Sequence, residues 1–411
     1  MKNIIKIAQN IFSVKNKKHH KILKILGIKL NFKNYKKILK IKNVQIDELN
    51  NNYKQVCNIL QEKENLIKKL YIDHDKIANQ TQQIDELHAK YNKLFNYIKY
   101  ESTPTIINNV GELLGLSNNT DNKQIMKKNL TQVEIEIFSY CNRTCWFCPN
   151  SIIDRHSENH FMPEEQYLKI LEQLKEINYS NIITYSRYNE PLSNREIFIK
   201  RIKQARKYCP NAFIRTNSNG DFLTSLEYLD EIAAAGINEI DVQCYLNENE
   251  EYTLETFKNK ANKFTKRLNL DYELIKTPEC IIAHFKYNKI NIGYFMRDFK
   301  KIANNRGETL TKKVRPYYRN SSCVVPFQHL YIDYTGDVML CCNMRHDIQA
   351  HQNFILGNAF NETLANIFMG NKIIEYRKLL ACNGKKIHPC YSCSFTASTE
   401  KMNLIEAPLN N

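Results

Sequence analysis

Glycine and proline are scarce in this chain, at 11 and 10 of its 411 residues. Neither occurs between residues 45 and 100, so no helix breaker interrupts that stretch. Acidic residues are missing from the whole N-terminal region: the first is Asp47, while twelve lysines fall within residues 1–40. Taking those 12 from the formal net charge of +16 leaves about +4, so the rest of the chain is close to balanced. No apolar run approaches the ~20 residues that a membrane-spanning helix needs. An export signal is not expected either, because Lys6 breaks the first apolar stretch and no small-residue cleavage site follows. A hydrophobic content of 43% with 11% aromatics excludes a disordered chain. The length leaves room for two to three domains at about 150 residues each.

What the chain does have is cysteine, 13 residues in all. Without an export signal, that number points to a reducing compartment and to metal ligation over disulfides. The expected location is cytoplasmic, with an optional peripheral attachment to the inner face of the membrane. Residues 1–40 form a basic arm. Within it Ile4, Ile5, Ala8, Ile11 and Phe12 share one helical face, with Lys2, Lys6 and Ser13 opposite. Such a helix lies in membrane interfaces, and a solvated lysine-rich tail is the plain alternative. Alternating Ile28, Leu30 and Phe32 read as a strand after Gly27. Residues 41–100 carry a seven-residue repeat through Leu49, Val56, Leu70, Ile77, Ile84, Tyr91 and Ile98. The segment Gln45–Leu49 recurs at Gln83–Leu87, an offset of 38, or five heptads plus three. These features predict a coiled coil with one discontinuity, and through it a homodimer. Residues 101–130, with Pro104, Gly111, Gly115 and an asparagine cluster, read as a linker.

From residue 131 strands and helices alternate, which predicts an α/β domain on a parallel sheet. Val133, Ile135 and Ile137 alternate in a first strand; Pro163 opens a helix; strands follow near Ile182–Tyr185, Phe213–Arg215 and Ile237–Val242. Ser193-x-x-Glu196 and Thr224-x-x-Glu227 read as capping boxes, the second helix ending at Gly236.

The first strand delivers Cys141-Asn-Arg-Thr-Cys145-Trp-Phe-Cys148. Three thiolates at this spacing hold three irons of a [4Fe–4S] cube and leave the fourth open to a small molecule. Four-cysteine clusters, closed on all sides, mostly carry electrons. A zinc knuckle is the competing reading, although zinc sites favour Cys-x2-4-Cys pairs and four ligands. The Cys-x3-Cys-x2-Cys run with an aromatic before its last cysteine resembles the signature of the radical S-adenosylmethionine (SAM) enzymes. The resemblance covers residues 131–320 and implies a partial (β/α)6 TIM-like barrel. It also implies SAM on the open iron and a 5′-deoxyadenosyl radical made from it, with Phe147 beside the cofactor. Glu190, in Glu190-Pro191, stands where that family places the acceptor of the SAM amino group. Asn217 and Asn219, in Thr216-Asn-Ser-Asn-Gly220, stand where it places polar contacts to the SAM carboxylate or ribose. Gln243, ending a later strand, is a further polar candidate.

A second cysteine set, Cys323, Cys341, Cys390 and Cys393, resembles the auxiliary-cluster domain called SPASM, or "twitch" in its short form. It spans residues 321–397, before a tail at 398–411. The resemblance implies a second [4Fe–4S] cluster on those four thiolates, with zinc as the alternative metal. The Gly336-x4-Cys341 step favours Cys341 over Cys342. No cysteine follows Cys393, so one auxiliary cluster is expected. Asn304-Asn-Arg-Gly307 resembles a segment of single-auxiliary-cluster relatives in which the arginine lies at the substrate, making Arg306 the catalytic candidate. Residues 11–33 resemble a short leader on bacterial glycosyltransferases and surface-glycan enzymes.

The expected activity is therefore a radical SAM oxidoreductase acting on a sugar, aminosugar or glycan precursor. It would oxidise an alcohol with the auxiliary cluster as electron acceptor. Flavodoxin or ferredoxin would supply the reducing electron, and no nucleic acid is expected to bind, since the charge sits in the arm. Peptide or protein maturation and a non-catalytic metal-binding coiled-coil scaffold are the rival readings. Epimerisation would need a hydrogen-atom donor, for which Cys244 and Cys280 are the thiols to consider. His156 and His160 read as ordinary loop residues.

Overall fold

The computed structural model describes residues 13–17, 20–25, 28–32, 110–116, 121–247, 249–276 and 280–395. Two units emerge, Met1–Glu101 and Ser102–Asn411. In the first, strands β1 (Ser13–Lys17), β2 (His20–Ile25) and β3 (Ile28–Phe32) form an antiparallel sheet in sequence order. β3 falls where the alternation of Ile28, Leu30 and Phe32 places a strand. The proposed coiled coil at 41–100, the amphipathic face of residues 2–12 and the tail at 398–411 lie outside the described residues.

The second unit begins earlier than the sequence suggests. The stretch read as a linker carries helices α1 (Val110–Leu113) and α2 (Asn122–Asn129). Leu113, Leu114, Ile125, Met126 and Leu130 are buried in the same core as the sheet. Asp121 caps α2 by accepting from the Lys123 N–H at 2.9 Å. Gly115 takes a left-handed φ in the turn that closes α1.

Four βα units follow. They are β4 (Gln132–Ile135) with α3 (Glu164–Glu176), β5 (Ile182–Thr184) with α4 (Arg195–Tyr208), β6 (Phe213–Ser218) with α5 (Leu226–Ala235), and β7 (Glu239–Gln243) with α6 (Leu254–Leu268). Each helix turns an apolar stripe to the sheet; for α3 this is Tyr167, Ile170, Leu171 and Leu174. Truncating one such leucine to alanine typically costs about 2–5 kcal/mol. The N-caps of α4 and α5 sit one residue beyond the expected boxes. Asn194, not Ser193, accepts from the Ile197 N–H, and Ser225, not Thr224, accepts from the Tyr228 N–H. In both places two cap-competent residues stand side by side, and chain direction out of the preceding turn decides between them.

The parallel order then changes. β8 (Glu273–Lys276), β9 (Cys280–Tyr287) and β10 (Ile290–Arg297) form an antiparallel meander, with β10 joining β7 in parallel. At the other edge β11 (His329–Ile332) pairs in parallel with β4, and β12 (Asp337–Met339) and β13 (Ile355–Asn358) continue antiparallel beyond it. The whole is a ten-stranded mixed sheet in the order β13-β12-β11-β4-β5-β6-β7-β10-β9-β8, an open (β/α) barrel of six parallel strands with antiparallel wings. The auxiliary region thus extends the sheet of the core.

One buried carboxylate joins these parts. Glu136 is fully buried and accepts from the Tyr188 N–H at 2.8 Å and the Tyr331 hydroxyl at 2.9 Å, with Arg155 at 3.7 Å. It ties the loop after β5 to strand β11 of the auxiliary region. A buried charge is tolerable because every direction it faces supplies a donor or a cation. No helix among the described residues is long and apolar enough to cross a membrane.

Candidate active site

β4 releases the chain into a loop that is bridged at Phe138 to Phe161 and then carries the first three cysteines. Backbone bonds fix that loop: the Cys141 N–H donates to the Arg155 carbonyl at 2.8 Å and the Cys148 N–H to the Cys145 carbonyl at 2.9 Å. Cys141, Cys145 and Cys148 open onto one cavity of about 190 Å³ at the C-terminal ends of the parallel strands. Phe147, Glu190, Asn217, Asn219 and Arg306 line the same cavity, so this set, chosen from sequence, comes together in space. Gln243 is there too, whereas His156 and His160 are exposed loop residues.

Among the described residues no three His, Cys, Asp or Glu side chains converge on one ion position. The thiols stand around the cavity instead, which suits a cluster whose irons each take one thiolate. Burial pushes the free Cys141 and Cys145 thiols up to about 12, so they hold their protons until a metal displaces them.

Glu190 is the only carboxylate among the described residues that line this cavity. It accepts from the Leu192 N–H at 3.1 Å, the Ser218 hydroxyl at 2.6 Å and the Asn219 N–H at 2.7 Å. Burial nevertheless raises its carboxyl to about 7, the three hydrogen bonds only partly offsetting the loss of water. A cationic ligand is what such a carboxylate lacks. Side-chain hydrogen bonds hold the turn before Glu190. Asn189 holds the turn by accepting from the Arg187 N–H at 3.1 Å, and Asn150 donates to the Tyr188 carbonyl at 2.8 Å. Asn217 bonds the Ser186 hydroxyl at 2.9 Å, and Asn219 donates to Asn142 of the cysteine loop at 2.7 Å. Phe147 stacks flat on Phe299 at 3.8 Å and lies 5.1 Å from the Tyr245 ring, closing one side of the cavity with apolar surface.

Cys323, Cys341, Cys390 and Cys393 line a second cavity. Cys342 is not among its walls; its carbonyl accepts from the Tyr188 hydroxyl at 3.0 Å and from the Arg187 Nε. Burial raises the Cys341, Cys390 and Cys393 thiols. Arg319, itself buried, donates to the carbonyls of Ser322 at 2.9 Å and Cys393 at 3.0 Å, pinning both ends of this cysteine set.

Sequence reasoning missed Arg187 and Asn343, which join Arg306 between the two cavities. Arg187 and Arg306 line the first, Asn343 lines the second, and the Asn343 Oδ1 accepts from both guanidiniums at 3.0 Å. Arg306 and Gly307 both take left-handed φ, of 49° and 63°. A Cβ on Gly307 would lie 2.6 Å from the His351 Nε2, so glycine is required there. Arg187 sits in a loop with no motif, and only the fold brings it to the carbonyl of Cys342.

Two family models match the chain: the radical SAM superfamily over residues 135–269, and an iron–sulfur cluster-binding domain, SPASM, over residues 323–394. The chain belongs to the radical SAM superfamily and carries a C-terminal SPASM domain. Its cofactors are SAM, the [4Fe–4S] cluster of the radical SAM domain and auxiliary iron–sulfur ligation in the SPASM domain. Among characterised proteins it is similar to the S-adenosyl-L-methionine-dependent 2-deoxy-scyllo-inosamine dehydrogenase of Niallia circulans. The two are 25% identical over 257 residues, 62% of this chain and 88% of that protein. Among solved structures it is similar to BtrN in complex with AdoMet and 2-DOIA, with a TM-score of 0.48 and 22% identity over 67% of this chain and 96% of that one. It is also similar to anSMEcpe with bound AdoMet, with a TM-score of 0.33 and 15% identity over 61% of this chain and 83% of that one.

Proposed function

We propose that this enzyme oxidises a secondary alcohol of a small polyol, sugar or aminosugar, as a step in making a glycan precursor. The observation that carries the reading is the single cavity shared by Cys141, Cys145, Cys148, Glu190 and Arg306, with a second four-cysteine cavity behind it. The dehydrogenase activity named for the Niallia circulans relative supports the reaction class.

The donor sets fit the cofactors. Cys141, Cys145 and Cys148 hold the [4Fe–4S] cluster by three thiolates and Glu190 receives the ammonium of SAM through charge-assisted hydrogen bonds. Asn217 and Asn219 present amide groups to the carboxylate or ribose, and Phe147 packs against the cofactor. Cys323, Cys341, Cys390 and Cys393 hold the auxiliary cluster. When bound, these groups supply a 5′-deoxyadenosyl radical for hydrogen abstraction and an acceptor for the second electron of the oxidation.

The chain's own residues bind, orient and exclude. The Phe147–Phe299 stack and Tyr245 keep one wall dry. Arg306 lines the cavity and holds a substrate hydroxyl there; its Nε is buried without a hydrogen-bond partner among the described residues. As a guanidinium it stabilises an oxygen losing its proton and does not itself take the proton. Cys244 and Cys280 line neither cavity, which disfavours epimerisation through a thiol donor.

The test is product analysis. Loaded enzyme, SAM and dithionite are incubated with a panel of aminocyclitols, aminosugars and a synthetic peptide, each deuterated at one carbinol carbon. The reading expects a ketone from a cyclitol or sugar, with the deuterium recovered in 5′-deoxyadenosine. Deuterium transfer from the peptide alone would place the chain among the maturases.

A further inference from the structure

Backbone strain gathers at one edge of the first cavity. Among the described residues five non-glycine residues take a left-handed φ. Three of them, Asn178, Asn269 and Asn288, are of a type that tolerates it; the other two are Arg306 and Glu308, with Gly307 between them. Three left-handed residues in a row, at 49°, 63° and 72°, persist only where the surroundings hold them.

What holds them comes from the auxiliary region. Ser392 lies inside the Cys390–Cys393 turn. The Asn305 Nδ2 donates to its carbonyl at 2.9 Å and to its hydroxyl oxygen at 2.8 Å, and that hydroxyl donates to the Glu308 Oε1 at 2.7 Å. The other Glu308 oxygen pairs with His388. From the opposite side the Asn343 Oδ1 accepts from Arg306 at 3.0 Å, and the His351 Nε2 donates to the Gly307 carbonyl at 2.7 Å. Asn343, His388 and Ser392 each stand within two residues of an auxiliary cysteine. Of these contacts only Arg306 lines the first cavity; Asn305, Glu308, Asn343 and Ser392 do not.

We propose that Asn343 and Ser392 couple the auxiliary cysteines to Arg306. Once Cys341, Cys390 and Cys393 are tied to one metal centre, the loops that carry Asn343 and Ser392 are fixed, and through Asn305 and Glu308 they hold Arg306 in its left-handed conformation at the cavity wall. Asn305, Glu308, Asn343 and Ser392 are positioning residues. The inference rests on the reading of Arg306 as the residue that holds a substrate hydroxyl. It makes the seating of a substrate depend on the presence of the acceptor for the second electron, so that an enzyme lacking its auxiliary cluster binds its substrate poorly.

The experiment is hydrogen–deuterium exchange by mass spectrometry on anaerobic holoenzyme, with residues 304–310 as reporter and α3 as internal standard. Three amides report the left-handed turn: Arg306 N–H donates to the Asn304 Oδ1 at 2.9 Å, Thr309 N–H to the Arg306 carbonyl at 3.3 Å and Leu310 N–H to the Asn305 carbonyl at 2.9 Å. Wild type is compared with Ser392→Ala, Ser392→Thr and Cys390→Ser/Cys393→Ser. The reporter should exchange at least about tenfold faster in Ser392→Ala and in the cysteine variant, with α3 unchanged, and Ser392→Thr should match wild type. Ser392→Ala should keep wild-type iron content and SAM affinity, while kcat/KM for the cyclitol or sugar it oxidises falls about tenfold, mostly through KM. Reporter exchange within about twofold of wild type in Ser392→Ala would overturn the proposal. So would unchanged exchange in the cysteine variant, since the turn would then be held without the cluster, or acceleration that extends to α3, which would mean a general loosening. A wild-type KM in Arg306→Gln, beside the expected exchange, would instead overturn the reading of Arg306 on which the proposal rests.

Discussion

Asp347 sits where the auxiliary region meets the cysteine loop, and its loss should be costly. Its carboxylate accepts from Arg345 at 2.7 and 2.5 Å and from Arg155 at 3.2 Å. Both guanidiniums are almost wholly buried, at 0% and 4% side-chain exposure, so water cannot replace the lost partner. Burial alone would raise the Asp347 carboxyl, but the Arg345 hydrogen bonds and the two positive charges override it and bring it to about 2. A depression from the ordinary value near 3.8 to about 2 is worth about 2 kcal/mol of stabilisation at neutral pH. Asp347→Asn removes this term and leaves two buried cations short of charge, a situation that costs about 3–5 kcal/mol when a pair is broken outright. The expected loss is therefore about 2–4 kcal/mol, read anaerobically at pH 7 as a lower urea midpoint at unchanged slope. The carboxyl is depressed in the folded state, so its contribution is complete above about pH 5 and is lost as pH falls through about 2. A deficit below about 0.5 kcal/mol at pH 7 would refute the reasoning, since it would mean that solvent reaches Arg345 and Arg155 after all.

Two further outcomes follow from the site. SAM affinity should rise with pH up to about 7 and then level, because the raised Glu190 carboxyl must ionise to receive an ammonium. Glu190→Gln should flatten that profile and weaken binding about 10–100-fold at pH 8, measured by equilibrium dialysis, while the iron content stays unchanged. A steep profile surviving in Glu190→Gln would assign the titration elsewhere. Cys341→Ser should lose one cluster's worth of iron, about four per chain, and Cys342→Ser should lose none, as only Cys341 lines the auxiliary cavity.

Much of this site was legible because its signals are local. The Cys141–Cys148 spacing, Glu190-Pro191 and the Asn217/Asn219 pair each sit at a strand end, and a parallel sheet delivers strand ends to one place. The α/β class with its parallel sheet followed from alternation, and the barrel and auxiliary domain from the family resemblance. The rest depended on contacts far apart in sequence. Glu134 and Glu136 alternate with Val133 and Ile135, yet both are buried, and Glu136 meets donors from the loop after β5 and from strand β11. The pairing of β11 with β4 joins residues about two hundred positions apart, and nothing in either strand announces it. Residues 110–113 and 122–129 misread for the opposite reason: Gly115 and Asp121 stand at helix ends, while the short runs around Leu113 and Ile125 are too brief to show a helical period. Arg187 and Asn343 carry no motif, and their role in joining the two cavities exists only once the chain is folded.

The central claim is that two separate cysteine sets hold two clusters and that only the first cleaves SAM. The direct measurement is iron content and 5′-deoxyadenosine formation, with dithionite and SAM, in anaerobically reconstituted wild type and a Cys141→Ala/Cys145→Ala/Cys148→Ala variant. The account predicts about eight irons in wild type and about four in the variant, with deoxyadenosine from wild type alone. A variant that keeps all its iron, or still makes deoxyadenosine, would contradict it.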